Sequence, residues 1–179
     1  SIGGTPESVT EDCTDSAGGW SYDAGTATLT LDGFQGEYIE ANGDINIVLK
    51  GKNKITISAE STEGIKSTGK VTIDDTISPA QDCLDIYCSD GTESVSMIYT
   101  GGFGADYATY IVGGTVNLVE ENTRRRYVTG ISRWAYVEND ASLNINLSAD
   151  GGRNGAAALL NLNTSGDTSF RVNSLSSSS

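Results

Sequence analysis

The chain has 179 residues, with 24 acidic against 11 basic side chains, no histidine, 37% hydrophobic residues, 22 glycines and two prolines. A net charge of −13 argues against nucleic-acid and anionic-membrane partners, which need a basic footprint, and the lack of histidine excludes His-based triads, His zinc ligands and His general bases. No run approaches the ~18 apolar residues of a membrane-spanning helix, so neither a nucleic-acid partner nor membrane insertion is expected.

In chain order, no signal peptide is visible, and Ser1-Ile2-Gly3-Gly4 is how a chain cut just after a removed leader would begin. The stretch GWSYDAGTATLTLDGF, Gly19 to Phe34, then places a small-residue turn between two short strands. Trp20 and Tyr22 are expected to cap whatever follows, with Trp20 largely buried and Leu29 and Leu31 supplying the first aliphatic positions. Glu37–Asn53 (EYIEANGDINIVLKGKN) and Glu63–Asp74 (EGIKSTGKVTID) share one plan of short strand, Gly or Asn turn and alternating strand. They align without a gap, Ile39 on Ile65 and Ile45 on Val71. Cys83–Cys88 reads as a strand, and further copies follow at 109–122, 130–150 and, more weakly, 158–174. The second strands begin at Leu29, Ile45, Val71, Val95, Val116, Leu143 and Phe170, and after the first step recur about every 21–27 residues, a spacing typical of repeat architectures.

The period-2 pattern, with Ile45, Ile47 and Leu49 or Leu143, Ile145 and Leu147 on one face and Asn46, Lys50, Asn144 and Asn146 on the other, argues strand throughout. One unit cannot bury such a stripe alone, whereas stacked units can. The expected fold is therefore all-β: a single-stranded right-handed parallel β-helix, a solenoid of about six or seven short turns, with an N-terminal capping hairpin. The cap and first strands would span 1–34, the solenoid 35–174 and a polar tail 175–179. Right-handedness follows the general preference for right-handed crossovers. Asn53, Asn122 and Asn139, at recurrent turns, are expected to bond the backbone of neighbouring strands. The three cysteines cannot all pair within one chain. Cys83 and Cys88 fall on opposite faces of a continuous strand, roughly 16 Å apart, too far for a bridge; a bridge from Cys13 to either stays open.

The segment W-S-Y-D-x-x-T-x-T-L-T-L-D-G-F (Trp20–Phe34), followed by I-E-A-N-G-D-I-N-I-V-L-K-G-K-N-K-I (Ile39–Ile55), resembles a repeat block of secreted Gram-positive gut-bacterial carbohydrate-binding-domain or adhesin-like proteins. The resemblance covers about the first third of the chain. It implies a right-handed parallel β-helix, an extracellular setting and an adhesive role toward a glycan or a host or bacterial surface protein.

Four kinds of chemistry are weighed on this frame. Asp82, Asp85 and Asp90, with Asp74-Asp75 and Glu120-Glu121 elsewhere, could supply oxygen ligands to calcium, the one cofactor considered, although no D-x-D-x-D-G loop is present. A calcium-dependent polysaccharide lyase or a glycoside hydrolase would need acids and a base to converge, and Arg124–Arg126 follow Glu121 closely. Tyr99, Tyr107, Tyr110, Tyr127, Trp134 and Tyr136 cluster in the middle of the chain and offer ring faces to sugars, with Arg124 and Arg126 nearby to fix hydroxyls. YTGGFGADYATY, within that cluster, breaks the period and is expected to bulge as a loop, where binding residues concentrate. The alternative is that these rings only stack on one another, and the domain is a passive stalk. The leading expectation is a non-catalytic adhesin-like domain.

Overall fold

The structure is a computed structural model that describes Ile2 and residues 9–75, 82–89, 91, 94–123, 128–149, 156–164 and 169–176. β1 (Cys13–Asp15), β2 (Trp20–Asp23) and β3 (Thr28–Asp32) form an antiparallel meander. The strands that follow are β4 (Gln35–Gly36), β5 (Ile39–Ala41), β6 (Ile45–Lys50), β7 (Lys52–Ile57), β8 (Glu63–Ser67), β9 (Val71–Asp75), β10 (Cys83–Cys88), β11 (Val95–Thr100), β12 (Thr109–Ile111), β13 (Thr115–Thr123), β14 (Val128–Val137), β15 (Ser142–Ala149), β16 (Ala156–Thr164) and β17 (Ser169–Ser176). Their pairings with one another are parallel.

Two sheets result among the described residues. The larger, 11-stranded sheet runs β1-β2-β3-β6-β9-β12-β14-β11-β8-β5, with β16 branching from β14; the smaller runs β17-β15-β13-β10-β7-β4. Inward positions stack in register into aliphatic rows. Ile47, Ile73, Ile111 and Val137 form one row of the larger sheet, and Ile39, Ile65, Ile98 and Ile131 another. Ile55, Ile86, Leu118 and Ile145 form the matching row of the smaller sheet. All are essentially solvent-free, so alternation along each strand becomes a continuous core between the sheets. The aligned pairs Ile39/Ile65 and Ile45/Val71 are direct register partners.

The single-stranded right-handed parallel β-helix expected from the repeat does not describe this architecture. The larger sheet mixes antiparallel with parallel pairing, and β14 joins what a solenoid keeps apart. Its first half pairs with β11 and its second half with β12, so two ranks of strands run off one strand and the sheet curls into a half-barrel. The recurrence also ran three ranks together. Ile45 and Val71 share one rank of the larger sheet, Val95 pairs with Val128 in another, and Val116, Leu143 and Phe170 share a third in the smaller sheet; within the first, Leu29 lies opposite Ile47 rather than Ile45. A shift of two residues preserves which side chains point inward, so alternation alone does not detect it.

Trp20 and Tyr22 lie on β2 opposite Leu31 and Leu29, half-buried and packed against the core. Asn53 is 1% exposed. Its amide oxygen accepts from Phe34 N at 2.9 Å, and its amide nitrogen donates to Cys83 O at 3.3 Å, tying β7 to its neighbours as a recurrent turn Asn should. Asn139, at φ 54°, donates to Val112 O at 3.5 Å; the Asn122 side chain lies outside the described residues. On the outer face of the smaller sheet Asn144 Nδ2 donates to Asn117 Oδ1 at 2.8 Å, and Asn117 Nδ2 to Asp85 Oδ1 at 2.6 Å.

Candidate functional site

Within the larger sheet the same corner recurs in successive ranks and changes character along the chain. β5 and β6 are joined by Asn42-Gly43-Asp44, and β8 and β9 by Thr68-Gly69-Lys70. These two corners nest. Gly43 N donates to Thr68 Oγ1 at 2.7 Å, Lys70 N to Asp44 Oδ1 at 2.8 Å, and Ser67 Oγ to Gly43 O at 2.5 Å while accepting from Gly69 N at 3.0 Å. A Cβ on Gly69 would meet Asp44 Oδ1 at 2.3 Å and Gly43 C at 2.7 Å, so glycine is needed for this approach.

The next corner, between β11 and β12, spans residues 101–108. It bulges as its Gly-rich composition predicts, and ends in a short 3-10 turn at Ala105–Tyr107. Phe103 stands at its tip, 75% exposed, and the Tyr107 ring lies directly over Gly102. Thr100 and Thr109, at the two roots of the loop, are fully buried, and their hydroxyls have no hydrogen-bond partner.

Opposite this loop, β14 has no turn. It takes the bend at Arg133, whose φ is 125°, and its register with β16 shifts between Ile131 and Trp134. A non-glycine residue at such a φ stores strain that the surrounding structure must hold. The bulge re-aims the side chain: the Arg133 guanidinium carbon lies 4.2 Å from the Phe103 ring centroid and 5.9 Å from that of Tyr99.

On the same strand Tyr136 stacks on Tyr110 at 4.6 Å and 6°, and Trp134 lies 6.5 Å from Tyr136 at 15°. Lys70 Nζ sits 5.7 Å from the Tyr110 ring. Burial, and then Tyr136, Glu138 and Asp106, push the Tyr110 phenol up from its ordinary 10.0, so it stays a neutral donor to Ala105 O at 3.3 Å. The faces of Tyr110 and Tyr136 are thus partly spent on each other, and the rings left for a ligand are Trp134, Phe103 and Tyr107. Beside them an open depression of about 390 Å³ is lined by Asp44, Thr68, Lys70, Asp106 and Tyr107.

Of the aromatic residues singled out in the sequence, Tyr99, Tyr107, Tyr110, Trp134 and Tyr136 meet at this corner. Arg124, Arg126, Tyr127 and Asp90 lie outside the described residues. Asp82 and Asp85 are engaged separately. Asp82, 8% exposed, accepts from Gly51 N at 2.6 Å, whereas Asp85 belongs to the amide row on the smaller sheet. Among the described residues no group of three or more His, Cys, Asp or Glu is placed to hold a metal ion. Cys13, Cys83 and Cys88 are in no disulfide, the latter two facing opposite sides of β10; burial and then Asp85 push the Cys83 thiol up from 9.0.

Sequence reasoning missed Phe103, Lys70 and Arg133. For Arg133 a signal was present: counted from Ile131, strict alternation puts it on the inward parity of GISRWAYV, where a charge marks a break in the strand. Among the described residues no helix is long and apolar enough to cross a membrane. Comparison with known proteins finds no matching family model, no matching curated protein and no matching solved structure.

Proposed function

We propose that this chain is a secreted or cell-surface, non-catalytic binding domain that holds a glycan against the aromatic corner. One observation carries the reading. Of the four exposed large hydrophobic side chains among the described residues, Phe103 (75%), Tyr107 (38%) and Trp134 (37%) share this corner. Clustered exposed rings have no value to folding and mark contact surfaces. Sugar C–H faces pack on such rings, and the depression alongside places Lys70 to donate to hydroxyls and Asp44 and Asp106 to accept from them. A rigid sheet carrying an expanded loop is the usual way to build such a surface. The local resemblance of Trp20–Ile55 to adhesin-like repeat blocks points the same way.

The test is retention on a panel of immobilised glycans, with product analysis of each. Trp134→Ala and Phe103→Ala are expected to weaken retention at least about tenfold without lowering the melting temperature, since both side chains are exposed. Failure to bind any glycan, or unchanged binding by both variants, contradicts the proposal; new reducing or unsaturated ends contradict its non-catalytic part.

A further inference from the structure

We infer that Arg133 is the specificity-determining residue of this corner, and that it receives the carboxylate of an acidic saccharide of the uronic-acid class. The inference rests on the glycan-binding reading above and narrows its substrate class.

Arg133 is an unspent cation in an acidic chain. With 24 acidic residues available, a structural Arg would be expected to sit beside one, yet among the described residues the ion pair is Lys66–Glu40, on the strands next to Tyr99, and it does not include Arg133. The guanidinium instead lies over Phe103 and Tyr99, and its buried Nε has no acceptor. Stacking on rings restrains the guanidinium, and the side chain as a whole stays partly exposed, so its terminal N–H groups are the ones a ligand can meet. A pre-organised fork of that kind matches the two oxygens of a carboxylate.

The backbone tells the same story. The chain holds a non-glycine residue at φ 125°, within an irregular stretch of β14, at a corner where the opposing loop is expanded and carries Phe103 to the guanidinium. Strain maintained by the surrounding structure is characteristic of residues positioned for a ligand. Trp134, the next residue, offers a half-exposed ring on which a pyranose can pack while its carboxylate meets the fork. That pairing of ring platform and carboxylate reader favours an acidic sugar over an acidic peptide. The net charge of −13 repels any polyanion at long range, but screening beyond about 8 Å at physiological salt leaves the local contact to decide.

The experiment compares retention of the full chain on polygalacturonate, on fully methyl-esterified polygalacturonate, which keeps the ring and removes the charge, and on polyglutamate, which keeps the charge and removes the ring. The wild-type chain is expected to prefer the acid over its ester by at least about tenfold and to hold polyglutamate no better than the ester. Arg133→Gln should abolish the preference. Arg133→Gly should do the same while keeping or raising the melting temperature, because glycine relaxes the positive φ; this variant separates lost recognition from misfolding. Equal retention of acid and ester, a preference surviving in both variants, or polyglutamate held as well as polygalacturonate would each overturn the inference while leaving glycan binding intact. No retention on either polysaccharide, or a Trp134→Ala variant that binds both as the wild type does, overturns the underlying reading as well.

Discussion

The corner at Thr68–Lys70 and the corner at 101–108 join equivalent strands and are built on opposite principles. Ser67 and Thr100 are register partners, as are Val71 and Thr109. In the tight corner Ser67 Oγ donates to Gly43 O and accepts from Gly69 N, so the buried hydroxyl is satisfied. In the expanded corner Thr100 and Thr109 are equally buried and their hydroxyls bond nothing; Arg133 Nε, opposite, is in the same condition. Buried polar atoms without partners are rare and costly in folded proteins. Their concentration around one loop, together with exposed rings and a strained Arg, supports the proposal that the expanded corner serves a contact outside the chain, in contrast to the tight corner, whose polar groups are satisfied within the fold.

Substitutions can break this contrast from either side. The largest effect is expected at Gly69, where any Cβ collides with the backbone of the corner beneath. Gly69→Ala should cost roughly 2–3 kcal/mol, read as a lowered denaturation midpoint, while Gly104→Ala, at φ 93° with open space around it, should cost only about 1 kcal/mol. Equal costs would show that the two corners are equally rigid. Next come the hydroxyls, where opposite signs are expected. Ser67→Ala should destabilise by about 1 kcal/mol because two hydrogen bonds are lost, whereas Thr100→Val should stabilise by up to about 1 kcal/mol because the removed hydroxyl had no partner. Urea unfolding of the two variants decides it; destabilisation by Thr100→Val would mean that its hydroxyl contributes to folding.

The smallest effect is expected at Asp75, whose Oδ2 is the remaining unpaired buried side-chain atom among the described residues. Burial, then Asp74 and Asp82, raise its carboxyl above the ordinary 3.8. A raised folded-state value means that the stabilising contribution is present below pH 3.8 and is lost as pH rises through the folded value. At neutral pH the charged group is then a liability. Asp75→Asn should raise the melting temperature slightly at pH 7 and lose that advantage near pH 3; an advantage that persists in acid would contradict the charge-based account.

How much of this was legible in the sequence follows from what is local. Alternation and the Asn-Gly and Gly turns located the strands, and the equivalence of Ile39 with Ile65 and of Ile45 with Val71 was readable because three-residue corners keep the register. Phe103 among three glycines within residues 101–104 made the bulge legible. The solenoid reading failed at β14, since pairing one strand with two ranks is decided by tertiary contact and leaves no local mark. The antiparallel β2–β3 pair was legible as a capping hairpin around the small-residue turn, but β1, which adds a third antiparallel strand, was not, as parallel and antiparallel strands share the same period. The aromatic cluster could be named from composition, but its cations could not. Lys70 comes from a corner well upstream, and Arg133 reaches Phe103 only through a strained φ. The acidic residues misled in the converse way. Asp82 and Asp85 are close in sequence, yet one caps the Gly51 backbone and the other joins the amide row of the smaller sheet.

The most direct test of the central claim, that the expanded corner is the binding site and is retained at a cost in stability, is to replace residues 101–108 with the Thr-Gly-Lys of the tight corner. Melting temperature and glycan retention are then measured on the same preparation. The account predicts a folded protein, no less stable than the parent, that binds no glycan. A folded replacement that binds as the parent does would contradict it.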